Sequence, residues 1–134
     1  MSQNEDLDPI LDFDLSVLVF TINGILFGVD SEQVADIVNF GETGDEIDIS
    51  SFNKLIDDTS PRKGGPEKKV LIMKDFEGRG LLVDRLDDIK PFGIGSIHPL
   101  PPLIASQIKS KLIWGIALIE AKMILLLDFS RSLL

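Results

Sequence analysis

Few residues of this chain stand where they could exchange a proton, attack a substrate or hold a cofactor. His98 is the only histidine, and the chain has neither cysteine nor tyrosine. A metal site built on one imidazole needs several carboxylates around it, and none cluster near His98, which sits beside Pro99. A hydrolase using His98 as base would need an exposed nucleophile, yet no serine lies in a G-x-S-x-G elbow. Asp84, Asp87 and Asp88 lie close together with Arg85 among them, and on a strand Asp84 and Asp88 share a face. Paired carboxylates can serve acid–base catalysis. Neither has a partner group in view, so solvated charges at a strand junction are the plainer reading. Gly93-Ile94-Gly95 and Gly64-Gly65 lack both the third glycine of a dinucleotide loop and the Gly-Lys-Ser/Thr of a Walker loop. Trp114 lies in an apolar run and reads as core. The residues therefore disfavour catalysis and point to a binding or scaffolding module with no cofactor.

The elements that would position any site read mostly as strands. Residues 16–22 (SVLVFTI) and 25–29 (ILFGV) are apolar runs flanking Asn23-Gly24, a strong hairpin signal. Asp30 with Gln33 has capping-box spacing, and Val34, Ile37 and Val38 share a helical face, so a short helix is expected there. Residues 45–50 alternate and suggest an edge strand, and Ser50 or Ser51 can cap a helical turn holding Phe52, Leu55 and Ile56. Residues 57–69, rich in Pro, Gly and charge, read as a loop. Residues 70–73 and 80–83 form a central hairpin around Gly78, and 86–92 continue extended, with Pro91 marking an edge. Residues 93–102 read as ordered loop and 103–108 as a helical turn. A last hairpin, 112–119 and 122–128, turns at Glu120-Ala121; its near-continuous apolar strands predict burial on both faces. Residues 129–134 read as a short closing helix. The sum is an all-β chain with short helices, about seven or eight strands forming a small barrel or pair of barrels.

Bulk properties narrow the class. The 134 residues suit one domain, with 1–14 an acidic, flexible lead-in and 15–134 the domain. The net charge is −9, and 14 of the 22 acids fall in residues 1–60 beside a single Lys54. Such a chain is a poor nucleic-acid binder. The basic group Arg62, Lys63, Lys68 and Lys69 reads as a solvated loop. The start, MSQNEDLDPILDFD, is not a signal peptide, and no apolar run reaches the roughly 20 residues that span a bilayer. The expectation is a soluble cytoplasmic protein without membrane insertion.

Three stretches in colinear order carry a resemblance: residues 18–38 (LVFTINGILFGVDSEQVADIV), 80–89 (GLLVDRLDDI), and 112–134, where W-G-x-A leads into ILLLD. Together they resemble the CheW-like domain of bacterial chemotaxis coupling proteins. The resemblance implies two small SH3-like β-barrels sharing a core and no enzymatic activity. It implies an adaptor that links chemoreceptors to the regulatory domain of a chemotaxis histidine kinase, their barrels meeting end to end. The chain departs from the family between the first helix and Asp57. Only residues 40–56 fill a passage that carries an N-L-R-G-like turn in the family, with Asp48-Ile49-Ser50 as a remnant. That turn is associated with receptor contact, so the chemoreceptor partner is left open and one barrel is expected to be abbreviated. A missing strand exposes an edge, which a second copy or a partner's strand would complete. The candidate partner-binding residues are Ile25, Phe27 and Val29 on the first hairpin and Arg79, Leu82 and Arg85 on the central one. The plainer reading makes the apolar ones core and the arginines solvated. A small ligand in a barrel mouth is the alternative function.

Overall fold

Two positive-φ turns set the first and last hairpins. The computed structural model describes residues 14–42, 47, 68–76, 78–107 and 111–130. β1 (Asp14–Ile22) and β2 (Ile25–Asp30) join through Asn23 and Gly24, at φ 54 and 79. That geometry matches the twist of the strands it connects. β8 (Ile113–Ile119) and β9 (Lys122–Leu127) join the same way through Glu120 and Ala121, at φ 51 and 65. β2 and β9 then pair in parallel, Phe27 opposite Leu125 and Val29 opposite Leu127, which ties the start of the chain to its end.

The expected helix after β2 does not form. Asp30 accepts the Glu32 N–H at 2.9 Å and caps only a three-residue 3-10 turn, Ser31–Gln33. The chain then runs as β3 (Val34–Asn39), antiparallel to β4 (Lys69–Met73). Three of the six β3 residues are β-branched, which lose rotamer freedom in a helix. Pairing with β4 gives alternate residues of the strand their ladder bonds instead.

β4 turns back into β5 (Gly80–Val83), with Gly78 at φ 79. Gly80 is required for packing, because a Cβ there would collide with Val70 Cγ1 and meet Ile47 Cγ2 at 3.2 Å. Asp84 bends the chain into β6 (Arg85–Gly93), which runs antiparallel to β1 as an outer strand, Pro91 opposite Ser16. The stretch read as loop after β6 holds another strand. A 3-10 turn, Ile94–Ser96, leads into β7 (Ile97–Pro99), which pairs with β8. Gly115 admits it: a Cβ at that position would stand 2.8 Å from the His98 carbonyl oxygen. The helical turn expected next is α1 (Pro102–Gln107).

The larger sheet has the order β6-β1-β2-β9-β8-β7, the smaller β3-β4-β5. β6 and β7 are opposite edges of one sheet, yet three residues join them, a reach of about 10 Å. The sheet must therefore curl on itself. Its concave face holds Val17, Val19, Phe92, Ala117, Ile124 and Leu126. Its other face packs on the small sheet through Leu18, Phe20, Phe27 and Val29 against Leu71, Met73, Leu81 and Val83. Phe20 and Phe27 stack there with centroids 6.0 Å apart. This is the shared core expected of paired barrels, with one barrel represented by three strands among the described residues. The strand over 45–50, apart from Ile47, the turn holding Phe52, Leu55 and Ile56, most of the 57–69 loop, residues 1–13 of the lead-in and the helix beyond Ser130 lie outside the described residues, while Asp14, read as the end of the lead-in, opens β1.

Candidate functional site

Two polar joints hold the sheets in register. At the first, the Gln33 side chain donates from Nε2 to Asp128 Oδ1 at 2.8 Å and accepts the Phe129 N–H through Oε1 at 3.0 Å, while the Gln33 backbone carbonyl accepts the Lys74 N–H at 2.9 Å. Gln33 thus does not close a capping box; it fastens the crossing from large to small sheet onto the C-terminal end of β9. At the second, Asp84 accepts the Asn23 N–H at 2.7 Å through Oδ2 and Lys68 Nζ at 2.7 Å through Oδ1. The Asp84 N–H donates to the Thr21 carbonyl at 2.9 Å. Burial pushes the Asp84 carboxyl up, but the hydrogen bonds from Lys68 and Asn23 and the lysine charge outweigh it, so the net shift is down. Asp84 is therefore a structural joint, not a free solvated charge. Neither joint was legible from spacing, since Asp84 meets Asn23 from 61 residues away and Lys68 from 16, and Gln33 meets Asp128 and Phe129 from 95 and 96.

The candidate contact residues divide by exposure. Phe27, Val29 and Leu82 are buried and serve packing. Ile25 is 47% exposed where β2 leaves the first turn. Arg79 is exposed at the turn into β5, and its N–H closes that turn onto the Phe76 carbonyl at 3.0 Å. The Arg85 side chain is 74% exposed, with Nε 3.6 Å from Asp87 Oδ1. It lines an open charged groove of about 540 Å3 with Asp87, Asp88, Lys90 and Lys122 beside the β1–β2 turn. The candidates do not form one cluster, since Arg79 and Arg85 flank β5 at opposite ends.

The residues that do join Ile25 are on the last hairpin. Leu118 pairs with Met123, and the β2–β9 register, which ends at Phe27–Leu125, brings Met123 toward Ile25 when continued two residues. Alternation puts all three on the face that buries Phe27 and Leu127. The small sheet covers that face only in part, so Leu118 remains 52% and Met123 47% exposed. Burial on both faces of this hairpin, expected from its apolar run, thus holds near Ile113 and Ala117 and fails at the tip. The flanking Glu120 and Lys122 are the sequence signal for an exposed end.

A second cleft, about 230 Å3, opens beside the concave core between Leu15, Val17, Trp114 and Leu126, with Asp30, Gln33 and Asp128 at its rim. Trp114 is half-buried against that core. His98 is exposed on β7, opposite Ile116. Among the described residues no group of three or more His, Asp or Glu could hold a metal ion, and no helix is long and apolar enough to cross a membrane.

No family model matches the sequence, and no curated protein matches it. Among solved structures, the chain is similar to the scaffolding protein TtCheW from Thermoanaerobacter tengcongensis. The TM-score is 0.64 at 24% identity, over 87% of this chain and 90% of that one. The strand order, the curled six-stranded sheet, the shared core and this match together give the chain the CheW-like fold, a pair of SH3-like barrels.

Proposed function

We propose that the protein is a non-catalytic cytoplasmic adaptor that couples signalling proteins in the manner of CheW. The kinase-side partner is the regulatory domain of a chemotaxis histidine kinase; the chemoreceptor side is left open by the absent N-L-R-G-like turn. The observation that carries the reading is the extent of the fold match, nearly end to end in both chains. The apolar tip of Ile25, Leu118 and Met123 supports it. It ends a strand row, as an end-to-end barrel contact requires, and each of these side chains gains about 1 kcal/mol when its exposed half is covered.

The small-ligand alternative is weaker on size. The apolar cleft of about 230 Å3 falls below the roughly 300–1,000 Å3 of ordinary ligand sites. The larger groove is lined chiefly by charges and offers little apolar surface.

Isothermal titration of the full chain with a chemotaxis kinase regulatory domain tests the proposal. Saturable one-to-one binding, weakened by Met123→Glu, is the expected result. Absence of binding by a folded wild-type chain would remove the kinase-side assignment.

A further inference from the structure

An abbreviated barrel leaves strand edges, and each unpaired edge N–H is a place for another chain to add a strand. Two of the described edges, in different sheets, carry the same device at that position. On β3, the Phe40 N–H donates to the Lys68 carbonyl at 3.1 Å, continuing the register Asn39–Lys69, Val38–Val70, Ile37–Leu71. Antiparallel ladders alternate bonded and non-bonded pairs, so the Ile37 N–H faces away from β4. It donates to Asp36 Oδ1 at 2.8 Å. On β6, Pro91 stands opposite Ser16 and Ile89 opposite Leu18. A proline in a ladder occupies a position whose N–H would face outward, and alternation turns the Ile89 N–H the same way. It donates to Asp88 Oδ1 at 2.8 Å.

Both isoleucines are exposed, Ile37 by 38% and Ile89 by 54%. Apolar side chains beside open backbone donors are what strand addition uses. On β6 one outward donor is thus covered by Asp88, and the next is deleted by Pro91. The remaining outer strand of the large sheet, β7, is three residues long and ends at Pro99.

We propose that Asp36 and Asp88 are edge caps, each folding its carboxylate onto the next residue's outward N–H so that neither β3 nor β6 accepts a strand from a second copy. An incoming carbonyl must displace an acceptor oxygen already bonded to that N–H. Strand-mediated association through these two edges is thereby opposed. This does not depend on the adaptor reading.

The test compares the full-length protein with Asp36→Ala/Asp88→Ala and Asp36→Asn/Asp88→Asn. Asn keeps an oxygen acceptor and drops the charge, whereas Ala drops both. Amide hydrogen exchange reads Ile37 and Ile89; sedimentation and thioflavin T fluorescence read strand-mediated assembly. In the Ala variant, exchange at both amides is expected to quicken about tenfold, as one net hydrogen bond is lost, and thioflavin-positive assemblies to grow with concentration. The Asn variant is expected to stay close to wild type. Unchanged exchange at both amides in the Ala variant overturns the proposal. So does equal assembly by the Asn variant, since charge alone would then guard the edges. The two single Ala variants serve if the double one fails to fold, and wild-type exchange and assembly in both would equally overturn it.

Discussion

Replacing Gln33 by Leu tests whether one side-chain amide fastens the two sheets together. The change keeps the volume roughly constant and removes two hydrogen bonds, to Asp128 Oδ1 at 2.8 Å and from the Phe129 N–H at 3.0 Å. A net bond to a charged acceptor is worth about 1.5–3 kcal/mol and a neutral one about 0.5–1.5. The site is part-buried, which favours the lower ends, so the expected loss is about 2 kcal/mol. For a chain of this length that lowers Tm by about 8 °C. Urea unfolding followed by far-UV circular dichroism measures it, and an unchanged m-value would show that the surface exposed on unfolding is the same. Gln33→Glu sharpens the comparison. It keeps an acceptor for the Phe129 N–H but sets a carboxylate against that of Asp128. Like charges raise one folded-state pKa, so the folded form binds more protons and this variant gains stability as pH falls through the carboxylate range. A loss below about 0.5 kcal/mol in Gln33→Leu, the size of an ordinary surface change, would refute the joint.

Gly115→Ala is expected to cost about 1–3 kcal/mol, because its Cβ would meet the His98 backbone oxygen at 2.8 Å and β7 must shift; thermal unfolding checks it, and unchanged Tm would deny the close approach. Asp84→Asn tests the other joint through its pH dependence. The folded-state pKa of Asp84 is depressed, so its contribution is present above the unfolded value of about 3.9 and fades as pH falls through the folded one. Wild type should therefore exceed the variant in stability above about pH 5 and converge with it in acid, as denaturant titrations across pH would show. Leu118→Glu and Met123→Glu should lower folding stability by no more than about 1 kcal/mol, since both side chains are only half buried. Each should weaken kinase-domain binding at least about tenfold if the tip is the contact.

Local turn chemistry was legible in the sequence by itself. Asn23-Gly24 and Glu120-Ala121 adopt positive φ as their hairpins require, Gly78 does so in the central one, and Pro91 lies on an outer strand. These features depend on one or two adjacent residues and on which φ values they tolerate. The strand content followed from the same short apolar runs, while the shared core was what the CheW-like resemblance implied. Only tertiary structure decided that Val34, Ile37 and Val38 belong to a strand. Their spacing suits a helix, but β4 supplies the ladder. The same holds for β7, which has three residues, two of them exposed, and exists because Gly115 lets it approach β8. It holds again for the contact residues: Phe27, Val29 and Leu82 are buried while Leu118 and Met123 are not. An apolar strand residue is core or surface according to how far a distant sheet reaches over it, and that distance is written nowhere in the strand's own sequence.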